Sequence, residues 1–493
     1  MDTRAGHPAE LASSPPLFET AQALIRQGNI NEAIATLAKV TQDTQAIGPA
    51  LTLQLEVLLA AGRYGEAEAA FDAAMWLPRP SADALDAMAF YARKLGRHAL
   101  SNRLYRGAAI TAPDDSQLQY NLATSERSLG RLSHAAEACA EALRLDPSAF
   151  PALLLRSEVT RATTAANHIT DLQARLATTR SDRGRMFTAY ALGKELHDVG
   201  DYDGAFAAFQ LGAGVRRRNL DYDIATDEAK LHRIAEAFAD PSAAQGAEPG
   251  AGARHLFIVG LPRSGTTLLE RILGALPQVR SNGETDNFAH ALLHASPRGT
   301  EDVFTRCAKA PAAAVAERYE ALAAHGGFAG TIIEKLPLNY LYVGAIRRAL
   351  PAARIVWMRR HPLDSCFAMF RTLFAEAYPF SYDLEELGRY YVAYQRLMRH
   401  WAPASMIEVS YEALARNPRE TAREVAERCG LAWSDDALDL TRNHTASLTA
   451  SAPQVRGEIY ATSCGVWRSY ARHLAPLTAV LSAGGLGPEH WPD

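Results

Sequence analysis

Four glycines in the first third of the chain lie 34 residues apart, at Gly28, Gly62, Gly96 and Gly130. Small residues follow each glycine five positions later, at Ala33, Ala67, Ser101 and Ala135. Glycine adopts the left-handed backbone of a tight turn, and small side chains let two helices approach closely. A fixed period of this length predicts a stack of two-helix units in which each unit contacts only its neighbours.

This period resembles the tetratricopeptide repeat. Two of the units close with a proline, Pro113 or Pro147, which stops a helix. The segment "GRYGEAEAAF" has a near copy, "GDYDGAFAAF", that begins at Gly200, off the strict period. We therefore predict a disordered N-terminus at 1–16 and an all-α repeat domain at 17–237. Peptide binding by the repeats and purely structural packing against the second half both stay open.

Composition and charge exclude several classes of protein. A net charge of −4 provides no global basic field for nucleic acid. Five scattered cysteines without a C-x-x-C motif argue against a disulfide framework and a zinc site. No apolar stretch approaches the length of a membrane span, and the N-terminus lacks the apolar centre of a signal peptide. We therefore expect a cytoplasmic protein without nucleic-acid or membrane partners.

The second half of the chain follows a different pattern. Residues 238–254 are rich in Pro, Gly, Ala and Ser and are typical of a linker. Four short β-rich runs then alternate with helical patterns, in "HLFIVG", "GTIIEK", "RIVWMRR" and "MIEVSY". This alternation predicts an α/β domain at 255–493 with a mostly parallel sheet. The predicted fold class is therefore multidomain, an all-α solenoid followed by an α/β domain.

The loop "GLPRSGTT" follows the first of these runs and opens a helix, so it is a candidate anion site. Thr266 and Thr267 add hydroxyl donors, and Arg263 adds a guanidinium. A triphosphatase loop has lysine at the position of Thr266. The absence of this lysine favours a donor with a single 5′-phosphate whose binding needs no metal, such as 3′-phosphoadenosine 5′-phosphosulfate (PAPS). A plain helix cap uses the same residue types and stays open.

The 3′-phosphate of PAPS needs an arginine of its own, and "RIVWMRRHPLDS" supplies one. The predicted strand there ends in Arg359 and Arg360, and a serine hydroxyl follows at Ser365.

Residues from about 255 to 475 resemble the sulfotransferase superfamily, most closely tyrosylprotein sulfotransferases and bacterial proteins that join tetratricopeptide repeats to a sulfotransferase domain. The matching segments, in the family's order, are "PRSGTT", "NGET", "EKLPLN", "RRHPLDS", "VSYEALARNP" and "TASAPQVRGEIYATSCGVWRSY". The resemblance implies a P-loop-like sulfotransferase domain that moves a sulfuryl group from PAPS to a hydroxyl acceptor.

The resemblance also implies roles for single residues. Glu284 matches the catalytic base, and Lys335 matches the lysine that stabilises charge on the oxygen between phosphorus and sulfur. Arg263, a catalytic candidate, begins the segment to Thr267 that resembles the 5′-phosphosulfate loop, and Ser451 resembles the serine that hydrogen-bonds the sulfuryl group. The implied donor-binding residues are Pro262, Arg263, Ser264, Gly265, Thr266, Thr267, Arg360, Ser365 and Tyr411. Structural roles without a function in the reaction are also open: a helix cap for Glu284, a surface lysine for Lys335 and core packing for Tyr411.

Two positions depart from the family pattern. The serine expected eight positions after Arg360 is Ala368, and Ser365 is the nearest hydroxyl that could replace it. The tyrosylprotein enzymes have a lysine where this chain has Val466, with Arg456 and Arg468 as candidates to compensate. Both departures concern donor binding rather than the reaction class.

Two other functions remain as alternatives. A nucleotide kinase would need a loop lysine and a metal-binding acid. A repeat scaffold with an inactive α/β half would be expected to lose its charged site residues first. The acceptor stays open among protein or peptide tyrosine, carbohydrate, lipid and small phenol, since a fold does not determine its substrate.

Overall fold

The computed structural model describes residues 16–40, 47–75, 81–239, 247–324, 327–374, 376–401, 406–440, 459 and 462–488. The chain divides into two compact units, Met1–Thr160 and Arg161–Asp493. Of the predicted disordered N-terminus, residues 1–15 lie outside the described residues. None of the described helices combines the length and apolar character that crossing a membrane requires.

The first unit is helical throughout its described residues. Its helices are α1 (Pro16–Arg26), α2 (Ile30–Val40), α3 (Ile47–Ala60), α4 (Tyr64–Ala74), α5 (Ala82–Lys94), α6 (His98–Thr111), α7 (Ser116–Ser128), α8 (Leu132–Leu145) and α9 (Phe150–Val159). The four periodic glycines lie in the turns between α1 and α2, α3 and α4, α5 and α6, and α7 and α8, with φ from 68° to 78°. The predicted helix-pair repeat is confirmed.

The residue after three of these glycines is an arginine that bonds back to the preceding repeat. Arg63 donates to Asn31 over 2.8 Å, and Arg131 donates to Asn102 over 2.9 Å. Arg97 pairs with Asp72, with Nη2 and Oδ2 3.0 Å apart. The small residues five positions after the four glycines are all buried, at 1% exposure or less. The 34-residue period therefore reflects two requirements: glycine in each turn, and a small residue where the helices pack closely.

The second unit begins with four more helices, α10 (Ile169–Thr178), α11 (Asp182–Val199), α12 (Tyr202–Arg218) and α13 (Ile224–Ala237). Its strands are β1 (His255–Val259), β2 (Val279–Ser281), β3 (Thr331–Glu334), β4 (Arg354–Arg359) and β5 (Met406–Ser410). The helices between and after them are α14 (Thr266–Leu273), α15 (Asn287–Ala295), α16 (Val303–Ala308), α17 (Ala312–Ala323), α18 (Val343–Ala349), α19 (Pro362–Phe370), α20 (Leu384–Trp401), α21 (Tyr411–Arg416), α22 (Pro418–Arg428) and α23 (Ala475–Ala483). Short 3₁₀ helices include Pro337–Tyr342 and Val466–Tyr470.

The five strands form one sheet in the order β2-β3-β1-β4-β5, and every described pairing is parallel. The central strand β1 is buried along its whole length, as expected when helices cover both faces. Four strands are those that the sequence predicts, and the predicted α/β fold class is confirmed. The fifth, β2, has three half-buried residues at one edge of the sheet. All carboxyl ends meet at the same edge.

Helices α11 and α12 pack with the α/β domain, although their sequence resembles the repeats. The hydroxyl of Tyr190 donates to the carbonyl of Phe370 over 3.2 Å. Phe206 stacks on the rings of Phe370 and His473, with centroids 5.9 Å and 4.3 Å apart. The division by packing therefore falls after Thr160, whereas the sequence places a linker at 238–254. The two differ because repeat-like patterns report contacts within a helix pair and not what covers its outer face.

Candidate active site

The loop between β1 and α14 has a backbone that depends on glycine. Gly265 adopts a φ of 97°, and a Cβ there would overlap the ring of Tyr411. Arg263 has a positive φ of 66°, a conformation that is uncommon for residues other than glycine and is often found at functional sites. The loop thus holds its backbone against Tyr411 just before α14 begins at Thr266.

The polar groups of this loop are buried and could receive an anion. Ser264 is 2% exposed, and its buried hydroxyl has no hydrogen-bond partner among the described residues. Pro262, Thr266 and Thr267 are also buried. A buried hydroxyl without a partner destabilises the fold unless a ligand or water supplies one. Hydroxyl donors and N–H groups at a helix start fit a phosphate.

Lys335, directly after β3, holds a buried positive charge between two carboxylates. Its side chain is 1% exposed, with Nζ 2.5 Å from Glu284 Oε1 and 3.3 Å from Glu270 Oε2. Burial lowers the pKa of Lys335, but the two carboxylates outweigh it and raise the net pKa above its usual value. The ammonium is therefore charged at neutral pH, and the reading of Lys335 as a surface lysine is wrong.

Glu284 lies in the loop after β2, and its side chain is 38% exposed. The buried carboxylate of Glu334 fixes this loop by accepting from Asn282 over 2.9 Å, from Asn287 over 3.1 Å and from Thr285. Burial raises the pKa of Glu334 above its usual value, and these hydrogen bonds offset only part of that rise. The loop also bonds to β3, since the N–H of Lys335 donates to the carbonyl of Gly283 over 3.0 Å. The accessible carboxylate therefore projects from a well-bonded turn.

Arg360, directly after β4, joins the loop to the C-terminal segment. Its Nη1 donates to the carbonyl of Arg263 over 2.8 Å, and its Nη2 donates to the carbonyl of Ser463 over 2.5 Å. The guanidinium lies over the ring of Tyr411, 4.8 Å from the centroid. The hydroxyl of Tyr411 bonds to that of Ser463. Tyr411 thus touches Gly265, Arg360 and Ser463 as well as the edge of the apolar core.

The residues after Arg360 build the start of α19. His361 stacks on Trp467, with centroids 5.0 Å apart. Asp364 accepts from the N–H groups of Gly465 and Trp467 over 2.5 Å and 2.9 Å. Ser365 is buried in the same helix, and its N–H donates to the carbonyl of His361. These contacts anchor the C-terminal segment beside Arg360.

Some predicted residues cannot be placed in this arrangement. Ser451 and Arg456 lie outside the described residues. Ala368 is buried in α19 at 3% exposure and has no hydroxyl to offer. The guanidinium of Arg468 lies over the ring of Trp467, 5.3 Å from the centroid. The role of Ser451 therefore stays a prediction.

Sequence reasoning missed several residues that organise the site, namely Glu270, Glu334, Asp364 and Ser463. Glu334 carried a usable signal, because a carboxylate that ends a buried strand must find donors. The others carried no local signal, since their partners lie far away in the chain. Among the described residues, no group of three or more His, Cys, Asp or Glu side chains is placed to hold a metal.

Comparison with known proteins gives matches to both units. Residues 255–435 match the Sulfotransferase family, and residues 116–148 match the Tetratricopeptide repeat. An uncharacterized protein of Aquifex aeolicus (strain VF5) is 30% identical over 320 residues, covering 61% of this chain and 42% of that protein. The chain thus spans less than half the length of this relative.

A second relative is a protein of Caenorhabditis briggsae named "Putative protein-tyrosine sulfotransferase". It is 28% identical over 199 residues, covering 37% of this chain and 68% of that protein. Among solved structures, the sulfotransferase domain of the Synechococcus PCC 7002 olefin synthase is 17% identical with a TM-score of 0.33, covering 46% of this chain and 90% of that domain. By these matches, residues 255–435 are similar to the Sulfotransferase family, and residues 116–148 are similar to the Tetratricopeptide repeat.

Proposed function

We propose that this chain is an enzyme that transfers a sulfuryl group from PAPS to a hydroxyl acceptor. The observation that carries the proposal is the ion pair between the buried Lys335 and the accessible Glu284, 2.5 Å apart, within a domain of the sulfotransferase family. A fixed ammonium and a reachable carboxylate are the two charges that such a transfer needs, one for the leaving oxygen and one for the acceptor proton.

The donor would be held at two points of the sheet edge. The loop from Pro262 to Thr267 would receive the 5′-phosphosulfate, since the partnerless hydroxyl of Ser264 and the start of α14 fit an anion. Arg360 would bind the 3′-phosphate. Its buried Nε–H has no partner among the described residues, so it has donor capacity left. Ser365 and Tyr411 would line the same end.

The reaction would be an in-line displacement at sulfur. The acceptor oxygen forms a bond to sulfur, and the bond between sulfur and the bridging phosphate oxygen breaks. Glu284 takes the acceptor's proton, and adenosine 3′,5′-bisphosphate leaves with the electron pair. Lys335, Arg263 and, in the predicted role, Ser451 would stabilise the negative charge that develops on the transferred group and the leaving oxygen.

The proposed acceptor is a tyrosine hydroxyl of a protein or peptide. One relative carries the name of a protein-tyrosine sulfotransferase, and helical repeats provide an extended surface suited to peptides. Labelled donor incubated with a tyrosine peptide, a phenol, a sugar and a sterol would identify the acceptor class, with label on the peptide as the expected result. Label on another probe would change the acceptor, and no transfer to any of them would contradict the proposed acceptor classes.

The donor is tested by titration with adenosine 3′,5′-bisphosphate, adenosine 5′-monophosphate and ATP, each with and without a chelator. We expect the bisphosphate to bind most tightly and to be insensitive to the chelator, because the protein supplies every positive charge. Tight binding of ATP that requires Mg²⁺, without preference for a 3′-phosphate, would support a kinase instead.

A further inference from the structure

Arg371, the residue after α19 ends, is a second cation in the segment that follows Arg360. Its guanidinium lies 5.9 Å from the ring centre of Phe367, one turn earlier in the helix. The side chain therefore runs back toward the N-terminal end of α19, as long helical side chains do, and that end follows Arg360. Burial, and then the positive charge of Arg360, lowers the pKa of Arg371.

Neither arginine has a carboxylate partner within ion-pair distance in the part of the chain that the structure describes. Arg360 donates only to two backbone carbonyls, and its buried Nε–H has no partner there. The neighbouring carboxylate of Asp364 accepts from backbone N–H groups instead. Two like charges without an ion-pair partner repel each other, and partial burial reduces the solvation that would offset this repulsion. An anion that carries more than one negative charge would relieve both penalties.

His197, on α11, orients the guanidinium of Arg371. Its Nε2 lies 3.0 Å from Arg371 Nη1, and its Nδ1 lies 2.8 Å from the hydroxyl oxygen of Tyr470. A guanidinium can only donate, so Nε2 must accept and the ring proton must lie on Nδ1. Burial, reinforced by the charges of Arg371 and Lys194, lowers the pKa of His197 to about 3. The ring is therefore neutral at neutral pH, as this bonding pattern requires.

We propose that Arg371 binds a phosphate dianion together with Arg360, and that His197 is the positioning residue that aims Arg371 at it. The inference rests on the proposed function for the identity of the anion, which is the 3′-phosphate of the donor. It adds a contribution from α11, a helix outside the residues 255–435 that match the family. The nucleotide site would then be incomplete without the helices that precede the α/β domain.

The test is a calorimetric titration of the full chain with adenosine 3′,5′-bisphosphate and with adenosine 5′-monophosphate, in chelator. The ratio of the two affinities measures the 3′-phosphate contact. We expect Arg371→Gln to reduce this ratio roughly tenfold to a hundredfold, the effect of one charge-assisted hydrogen bond. His197→Ala should reduce it several-fold, and His197→Gln, which keeps an acceptor, should restore part of it.

Arg359→Gln is the matched control. Arg359 is the exposed neighbour of Arg360 and pairs with Glu408 over 2.8 Å. Its replacement by Gln removes the same charge from the protein as Arg371→Gln does. It should leave the affinity ratio unchanged, so a loss confined to Arg371→Gln reports a local contact and not the overall charge.

The outcomes separate this inference from the proposed function. A wild-type chain that shows no preference for the bisphosphate would overturn the proposed function. A wild-type preference that persists undiminished in Arg371→Gln would overturn the inference alone. Should circular dichroism show that Arg371→Gln is unfolded, Arg371→Lys and His197→Ala decide, and an undiminished ratio in both would overturn it.

Discussion

The charge of Lys335 depends on residues that are far apart in the chain. Glu270 comes from α14 and Glu284 from the loop after β2, and together they surround an ammonium that is 1% exposed. Removing one partner of such a group leaves an uncompensated buried charge, which is strongly destabilising. The three residues therefore act as one unit, and each substitution at this scale should be interpreted by what it leaves unpaired.

Replacement of Glu284 tests the proposed base. We expect Glu284→Gln to reduce turnover roughly 10²–10⁴-fold, because the amide cannot accept the acceptor's proton. Affinity for adenosine 3′,5′-bisphosphate should change little, since the proposed role of Glu284 concerns the acceptor and not the donor. Turnover of labelled donor and calorimetry measure the two effects separately. Asp286→Asn, at an exposed carboxylate two residues away, is the control, and near-normal turnover in Glu284→Gln would refute the assignment.

The partly buried His197 implies that the stability of the fold depends on pH. Its pKa of about 3 in the folded chain lies below the usual value of 6.5, so the unfolded chain binds more protons between these values. The contribution of His197 is complete above pH 6.5 and is lost as pH falls toward 3, by at most about 2 kcal/mol between pH 7 and pH 5. Denaturant unfolding at several pH values should show that the free energy of unfolding falls less steeply between pH 7 and pH 5 in His197→Gln than in wild type. An equal fall in both proteins would contradict a ring that is neutral in the folded chain.

At the scale of elements, the site is built where strands end. β3, β1, β4 and β5 lie side by side in one parallel sheet, so their carboxyl ends bring together residues that are far apart in the chain. Strand β2 was not predicted because three half-buried residues at a sheet edge give no clear alternation. Its position nevertheless decides where Glu284 lies, since the loop that carries this residue starts at its end.

The requirement for glycine in the turn before α14 can be tested by adding one methyl group at Gly265. Gly265→Ala should remove most affinity for adenosine 3′,5′-bisphosphate, because the Cβ would overlap the ring of Tyr411 and the residue has a φ of 97°. Gly96→Ala is the control, because Gly96 has a comparable φ of 74° but no atom lies within 4 Å of an added Cβ. It should cost about 1 kcal/mol of stability and leave binding intact. Calorimetry on both variants would reject this account if their affinities were equal.

At the scale of the whole molecule, packing and repeat pattern divide the chain differently. The second compact unit starts at Arg161 and contains α10 to α13. Between α11 and α12, Gly193 lies against the ring of Phe209 and Gly212 against that of Tyr190. Such close pairs are expected of repeat helices. The ring of Phe206, however, stacks on residues of the α/β domain.

The boundary of the donor-binding part follows from this division. A fragment of residues 161–493 should fold and bind adenosine 3′,5′-bisphosphate with the affinity of the full chain. A fragment of residues 250–493 should melt at a lower temperature and bind more weakly, because it exposes Phe370 and leaves Arg371 without His197. Thermal melting and calorimetry on both fragments provide the comparison. Equal stability and affinity would place the boundary at the predicted linker instead.

The fold class, the helix pairs and several positions of the candidate site could be predicted from the amino-acid sequence. Periodic glycines, alternating strand and helix patterns, and the glycine loop are local signals, since each reflects the conformation of a few neighbouring residues. From these and the family segments, the positions of Arg263, Glu284, Lys335 and Arg360 were predictable. Their chemical roles stay predictions that the variants above would test.

The pairing of charged side chains, by contrast, follows only from the folded structure. The pairing of Lys335 with Glu270, the bonds of Asp364 to the C-terminal segment and the contact of His197 with Arg371 join residues between 65 and 174 positions apart. No local pattern encodes such contacts, because they depend on which faces are buried when helices and strands pack. For the same physical reason, the sequence placed α11 and α12 with the repeats, whereas burial of their outer faces placed them with the α/β domain.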